Sequence, residues 1–141
     1  MTPIAQPRSL PPPGSVHVLL LGATLALFLG ALLGDLAYWK TFEIQWNNFA
    51  SWLIVGGLVA GALALVCALP GLAPARRTTN ATMHFVLLLA TWVVGFFNAL
   101  MHARDAWASM PGGLVMSVVV FVLGCDATWF GIRAARTGGV K

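Results

Sequence analysis

Two histidines, His17 and His84, each stand about one turn inside the start of a long apolar run. Their flanking charges put both starts on the same side of a membrane. An imidazole at that depth is costly without a partner, so its first reading is functional. One histidine from each of two helices, at equal depth, is the donor set of a bis-histidine haem b, in which each ring gives one nitrogen to the iron. The same residues also read without a cofactor. A histidine at a membrane edge can reach the interface or hydrogen-bond a carbonyl, and a proton or quinone role is a third reading.

Depth supplies the supporting residues. His84 lies seven residues after Arg77, and Asp126 lies seven before Arg133; at 1.5 Å per residue, both are about 10 Å from their basic anchors. Asp126 is therefore the expected carboxylate partner of His84, because a metal-bound histidine commonly donates its other ring nitrogen to such a group. Gly95 and Asn98 are the small and polar residues expected to border the cofactor. His17 and Asp35 are 18 residues apart, as are His84 and His102, and that spacing returns to one helix face. Thr91, Gly95 and Asn98 lie close to the His84–His102 face, so the third run carries a polar stripe that should face the bundle interior. Asp35 stands near the depth of His102 and Arg104, on the side opposite His17 and His84. Those three read as an interfacial polar cluster. A second haem there would need Met101 or Met110 as a ligand, since no second histidine lies on that side.

The elements that position these residues follow from composition. Hydrophobic residues make up 59% of the chain and charged residues 9%, against roughly 25% charged in soluble domains. So few charges cannot cover a soluble surface. Four runs, 16–38, 49–69, 83–100 and 114–132, are long and apolar enough to span, since a span needs about 20 residues. No alternating barrel pattern is present, and helices satisfy their backbone groups internally. The expected fold is all-α, an integral membrane four-helix bundle over 16–135, between a Pro-rich flexible tail (1–15) and a basic tail (136–141). The first run is too long for a signal-peptide core and is read as retained.

Arg8, Arg76, Arg77, Arg133, Arg136 and Lys141 fall on one side of such a bundle; Lys40 and Arg104 fall on the other. The positive-inside rule then predicts that both termini are cytoplasmic. Trp39, Trp46, Trp52 and Trp107 cluster toward the opposite interface. The net charge of +4 is thus a topology signal and gives no nucleic-acid groove. Cys67 and Cys125 match no zinc, redox or haem-attachment spacing and are expected to be buried, inert thiols. Gly22, Ala26, Gly30 and Gly34 form a small-residue ridge on the first helix. Gly56, Ala60, Ala64 and Ala68, with Gly57 and Gly61, form one on the second. Such ridges allow close helix approach, within one hairpin or across a dimer. No hydrolase or phosphate-binding motif occurs, Ser109 and Ser117 have no base at a persuasive spacing, and no inverted repeat or broken span marks a transporter.

His17, Gly34-Asp35-Leu36-Ala37-Tyr38, the run from Ala50 to Leu58, His84 and Asn98 together resemble the bacterial predicted membrane proteins of domain of unknown function family 2231. The resemblance covers roughly Val16 to Arg133. His17 is followed by Val18, where members usually have His-Pro or His-Phe-Pro, and 69–72 lacks an acid that often follows the second span. The resemblance implies a four-helix protein of the bacterial inner membrane and, through members fused to cytochrome-like modules, a place beside redox proteins. The expected function is that of a small b-type cytochrome passing electrons through haem b on His17 and His84. The alternative is a membrane scaffold or partner subunit without cofactor. Either is electron transfer or structure rather than catalysis by the chain itself. Expected partners are the lipid bilayer, a redox protein or quinone, and a second copy of the chain, with no nucleic acid.

Overall fold

A computed structural model describes residues 14–104 and 106–137, with side chains described for all but residues 106, 107 and 137. Most of the expected N-terminal tail, Asp105 and the last four residues lie outside the described residues. The elements are α1 (Ser15–Thr41), α2 (Ile44–Ala68), a 3-10 turn (Leu69–Leu72), α3 (Thr79–His102), a short helix α4 (Ala106–Ser109) and α5 (Gly112–Thr137). There is no strand among the described residues. Helices α1, α2, α3 and α5 are each long and apolar enough to cross a membrane.

The helices run past the apolar cores that the sequence marks. The largest differences, five residues each, are at the start of α2, which begins at Ile44 rather than near 49, and at the end of α5, which runs to Thr137 rather than 132. Gln45, Asn47 and Asn48 are helical because nothing there breaks a helix, and Asn47 is buried, accepting a bond from Ser109. Only Phe42 and Glu43 separate α1 from α2. Phe42 adopts a left-handed φ of 57° and its N–H caps the Tyr38 carbonyl, closing α1 sharply. Thr78 opens α3 with its hydroxyl oxygen on the N–H of Ala81 at 3.1 Å.

Helix α1 packs mainly on α2 and α3 mainly on α5, as two hairpins; α2 with α3 and α1 with α5 complete the ring. Small residues permit these approaches only in part. A Cβ on Gly34 would stand 3.2 Å from the Ala50 Cβ and 3.4 Å from the Trp46 carbonyl oxygen, so here α1 and α2 touch backbone to backbone. At Gly22 nothing lies within 4 Å, so the expected ridge on α1 is a packing surface at Gly30 and Gly34 and open at its start. Cys67 and Cys125 are both exposed on the bundle surface, which corrects the expectation of buried thiols.

Across the centre, α1 and α3 face each other in a constant register. His17 meets His84 and Asp35 meets His102, each pair 67 residues apart. Between them lie Leu21 and Leu88, Thr24 and Thr91, Phe28 and Gly95, and Ala31 and Asn98, at the same offset and all buried. The offset is also a sequence repeat. His17, Leu20, Leu21, Ala23 and Thr24 recur as His84, Leu87, Leu88, Ala90 and Thr91, and Gly57 and Ala60 recur as Gly124 and Ala127. The two hairpins are a tandem repeat of the kind whose axis runs along the membrane normal. An inverted repeat is a different symmetry, and its absence concealed this one.

Candidate functional site

The polar stripe of α3 is its buried face: His84, Thr91, Gly95, Asn98 and His102 point inward. The stripe meets its partners at the two ends of the α1–α3 diagonal, and the middle is apolar, filled by Phe28, Ile54 and Val120.

At one end the Nε2 atoms of His17 and His84 are 3.1 Å apart, with the rings nearly perpendicular at 88°. Nδ1 of His84 lies 2.7 Å from the carbonyl oxygen of Ala127. A carbonyl only accepts, so Nδ1 carries the hydrogen of the neutral ring and Nε2 presents its lone pair. His17 then donates from its own Nε2. The Ala64 carbonyl faces the His17 ring but closes no hydrogen bond to its buried Nδ1. Gly131 lies directly against His84, where a Cβ would come within 2.8 Å of Nδ1. Two cavities flank the pair. One of about 480 Å³ reaches His17, Gly22 and Arg136, and one of about 450 Å³ reaches both histidines, Cys67 and Arg76.

Asp126 is not part of this end. It is exposed, and the partner of His84 is the carbonyl of the next residue, Ala127. The inward face of α5 carries Gly113, Ser117, Val120, Gly124 and Ala127, and one residue back from Ala127 is 100° around the helix. Depth alone suggested Asp126; helix phase excludes it. Gly95 and Asn98 are also away from the histidine pair. Gly95 lies against Phe28, where its Cβ would be 3.1 Å from the ring. Asn98 belongs to the other end.

There, Nε2 of His102 is 2.8 Å from Oδ1 of Asp35, and both side chains are buried. Ser117 donates to Oδ2 of Asp35 at 2.6 Å and accepts from the Asn98 amide at 2.8 Å. Nδ1 of His102 donates to the Asn98 carbonyl at 3.0 Å, so the hydrogen bonds close a ring through α1, α3 and α5. Nearby, Ser109 donates to Asn47 at 3.1 Å. Arg104 stays outside: it is exposed, with its guanidinium 3.9 Å from the Met101 sulfur. The serines were unreadable as partners from spacing, because they serve a carboxylate from another helix rather than a base nearby in the chain. Gly113 makes room for the ring, since a Cβ there would meet His102 at 2.8 Å.

Among the described residues, no three histidine, cysteine or acidic side chains converge on a point that could hold a metal ion. The chemistry on offer is therefore two imidazole donors at one end and a carboxylate–imidazole pair at the other. No curated protein and no solved structure matches the chain. A family model described as "Predicted membrane protein (DUF2231)" matches residues 13–141, nearly all of the sequence. A match of that extent, on a four-helix apolar bundle, makes the chain a member of the DUF2231 family of predicted membrane proteins.

Proposed function

We propose that the chain is a small b-type cytochrome of the bacterial inner membrane, with haem b held between His17 and His84. The observation that carries the reading is the convergence of two Nε2 atoms from equivalent positions of the two repeats. A direct bond between two like imidazoles needs one to donate and the other to accept, so it is unsymmetrical. An ion between them takes a lone pair from each and suits the repeat. Anchoring of Nδ1 on a backbone carbonyl, as in His84, also fits a ligand ring, because it fixes the tautomer and the ring's direction.

The donor set fits haem; the spacing is short. His17 and His84 would hold the iron through Nε2, and from their present 3.1 Å the ends of α1 and α3 would have to part to admit the group. The flanking cavities supply space beside the rings, and Arg76 and Arg136 at their edges are bidentate partners for carboxylates. Bound haem supplies one-electron transfer; the chain supplies ligands, burial and orientation. Both termini are cytoplasmic in this reading, from the excess of Arg and Lys at the His17–His84 end, and the electron partner is a redox protein or quinone. The second reading is a cofactor-free scaffold or partner subunit, possible because the 3.1 Å bond already ties α1 to α3.

The visible spectrum of detergent-purified protein, expressed with ample haem, tests the proposal. Reducible Soret and α bands support the cytochrome. A colourless protein supports the scaffold.

A further inference from the structure

The opposite end of the diagonal has its own proton chemistry, independent of the haem reading. Nδ1 of His102 faces a carbonyl oxygen, an acceptor only, and so carries hydrogen. Nε2 faces Oδ1 of Asp35 at 2.8 Å, a distance that requires a proton between the two atoms, nearer one or the other. Oδ2 is already an acceptor from Ser117, whose oxygen is occupied in turn by the Asn98 amide. Asp35 and His102 together therefore hold one proton more than a carboxylate and a neutral imidazole, and the pair carries no net charge. A lone carboxylate at Asp35, which is 0% exposed inside a span, would be costly.

The pair is buried, its side chains 1% and 0% exposed, but only a thin layer separates it from the end of the bundle, where His102 lines a cavity. That cavity, of about 550 Å³, is walled by the amides of Gln45, Asn47 and Asn48 and the hydroxyl of Ser51. Polar walls of this kind hydrogen-bond water. The facing groups are few. Helix α1 brings Asp35 and, one turn on, the buried Tyr38, while α2 brings only amides and a hydroxyl. Helix α3 brings His102, α5 brings Ser117, and Arg104 stands on the cavity wall beyond α3. Lys40 and Glu43 are exposed at the helix ends, and Asp105 lies outside the described residues.

We infer that Asp35 and His102 form a proton-exchange site, sharing one proton and trading it with water through this vestibule, while Ser117 and Asn98 hold the carboxylate in place. Release passes a proton from the pair to water and leaves the pair with one negative charge; uptake from water restores neutrality. Intramembrane acid–imidazole pairs are the usual parts of proton relays.

Nitrogen-15 NMR of histidine-labelled protein, with infrared spectroscopy of the carboxyl band, tests the site. At neutral pH the wild type should show either a His102 ring with hydrogen on both nitrogens or a protonated Asp35, and Asp35→Asn should leave one hydrogen, on Nδ1. Asn48→Leu, at the exposed rim, should keep that protonation but slow hydrogen exchange of the ring with water tenfold or more. A singly protonated ring beside an ionised Asp35 in the wild type overturns the shared proton. Exchange unchanged in Asn48→Leu overturns the vestibule route. The wild-type spectra decide the first point even where Asp35→Asn fails to fold.

Discussion

Gly131 sets how far the His84 ring can move. A methyl group there would meet Nδ1 at 2.8 Å and Cε1 at 2.9 Å, and the ring is pinned by its bond to Ala127. Gly131→Ala should therefore push the imidazole off its carbonyl, destabilise the protein by about 1–3 kcal/mol, and lower haem content well below wild type. Asp126→Asn should leave haem content and reduction potential unchanged, because the exposed carboxylate does not face the ring; a shifted potential in a redox titration would restore it as a partner. At the other end, Asp35→Ala leaves the His102 ring and the Ser117 hydroxyl without their buried acceptor, at a cost of about 1–3 kcal/mol for each group left unsatisfied, measurable by thermal unfolding in detergent. Single residues were legible in the sequence where depth and face agreed: His17, His84, Asp35 and His102 all carry a spacing of 18 and turn inward. Asp126 had the depth without the phase. Ser117 had neither signal, since what it bonds lies 82 residues away.

At the scale of the element, helix existence was readable from apolar length, and helix ends were not. Asn47 and Asn48 look like linker residues by composition, yet Asn47 is buried because Ser109 reaches it across the bundle. The small-residue ridge on α1 likewise reads as uniform, while tertiary contact divides it. Gly34 lies against α2 backbone and side chain, and Gly22 faces open space. Gly34→Leu should force the α1–α2 hairpin apart and lower thermal stability strongly, whereas Gly22→Leu should change it little. Gly30→Leu falls between, because the atom it meets at 2.8 Å is the mobile end of Leu53. Equal melting temperatures for the Gly22 and Gly34 variants would mean that the hairpin does not pack at Gly34.

For the whole molecule, the tandem repeat organises both sites. One offset of 67 residues places an imidazole pair at one end and an acid–imidazole pair at the other, so the two halves share a register and differ in chemistry along one diagonal. The repeat was present in the sequence as His-x-x-Leu-Leu-x-Ala-Thr at 17–24 and 84–91, and was obscured because only five of those eight positions carry it and the halves run parallel. Orientation belongs to this scale too. With Arg76, Arg77, Arg133 and Arg136 exposed at the histidine end, a cytoplasm-active reporter fused after Lys141 should be active and a periplasm-only reporter silent.

The ratio of haem to protein in three single variants tests the central claim most directly. If His17 and His84 share one iron, His17→Ala and His84→Ala should each lose most of the haem bound by wild type. His102→Ala should keep it, since His102 lies about 27 Å along α3 from His84. Haem retained by both His17→Ala and His84→Ala, or lost only in His102→Ala, would contradict the account.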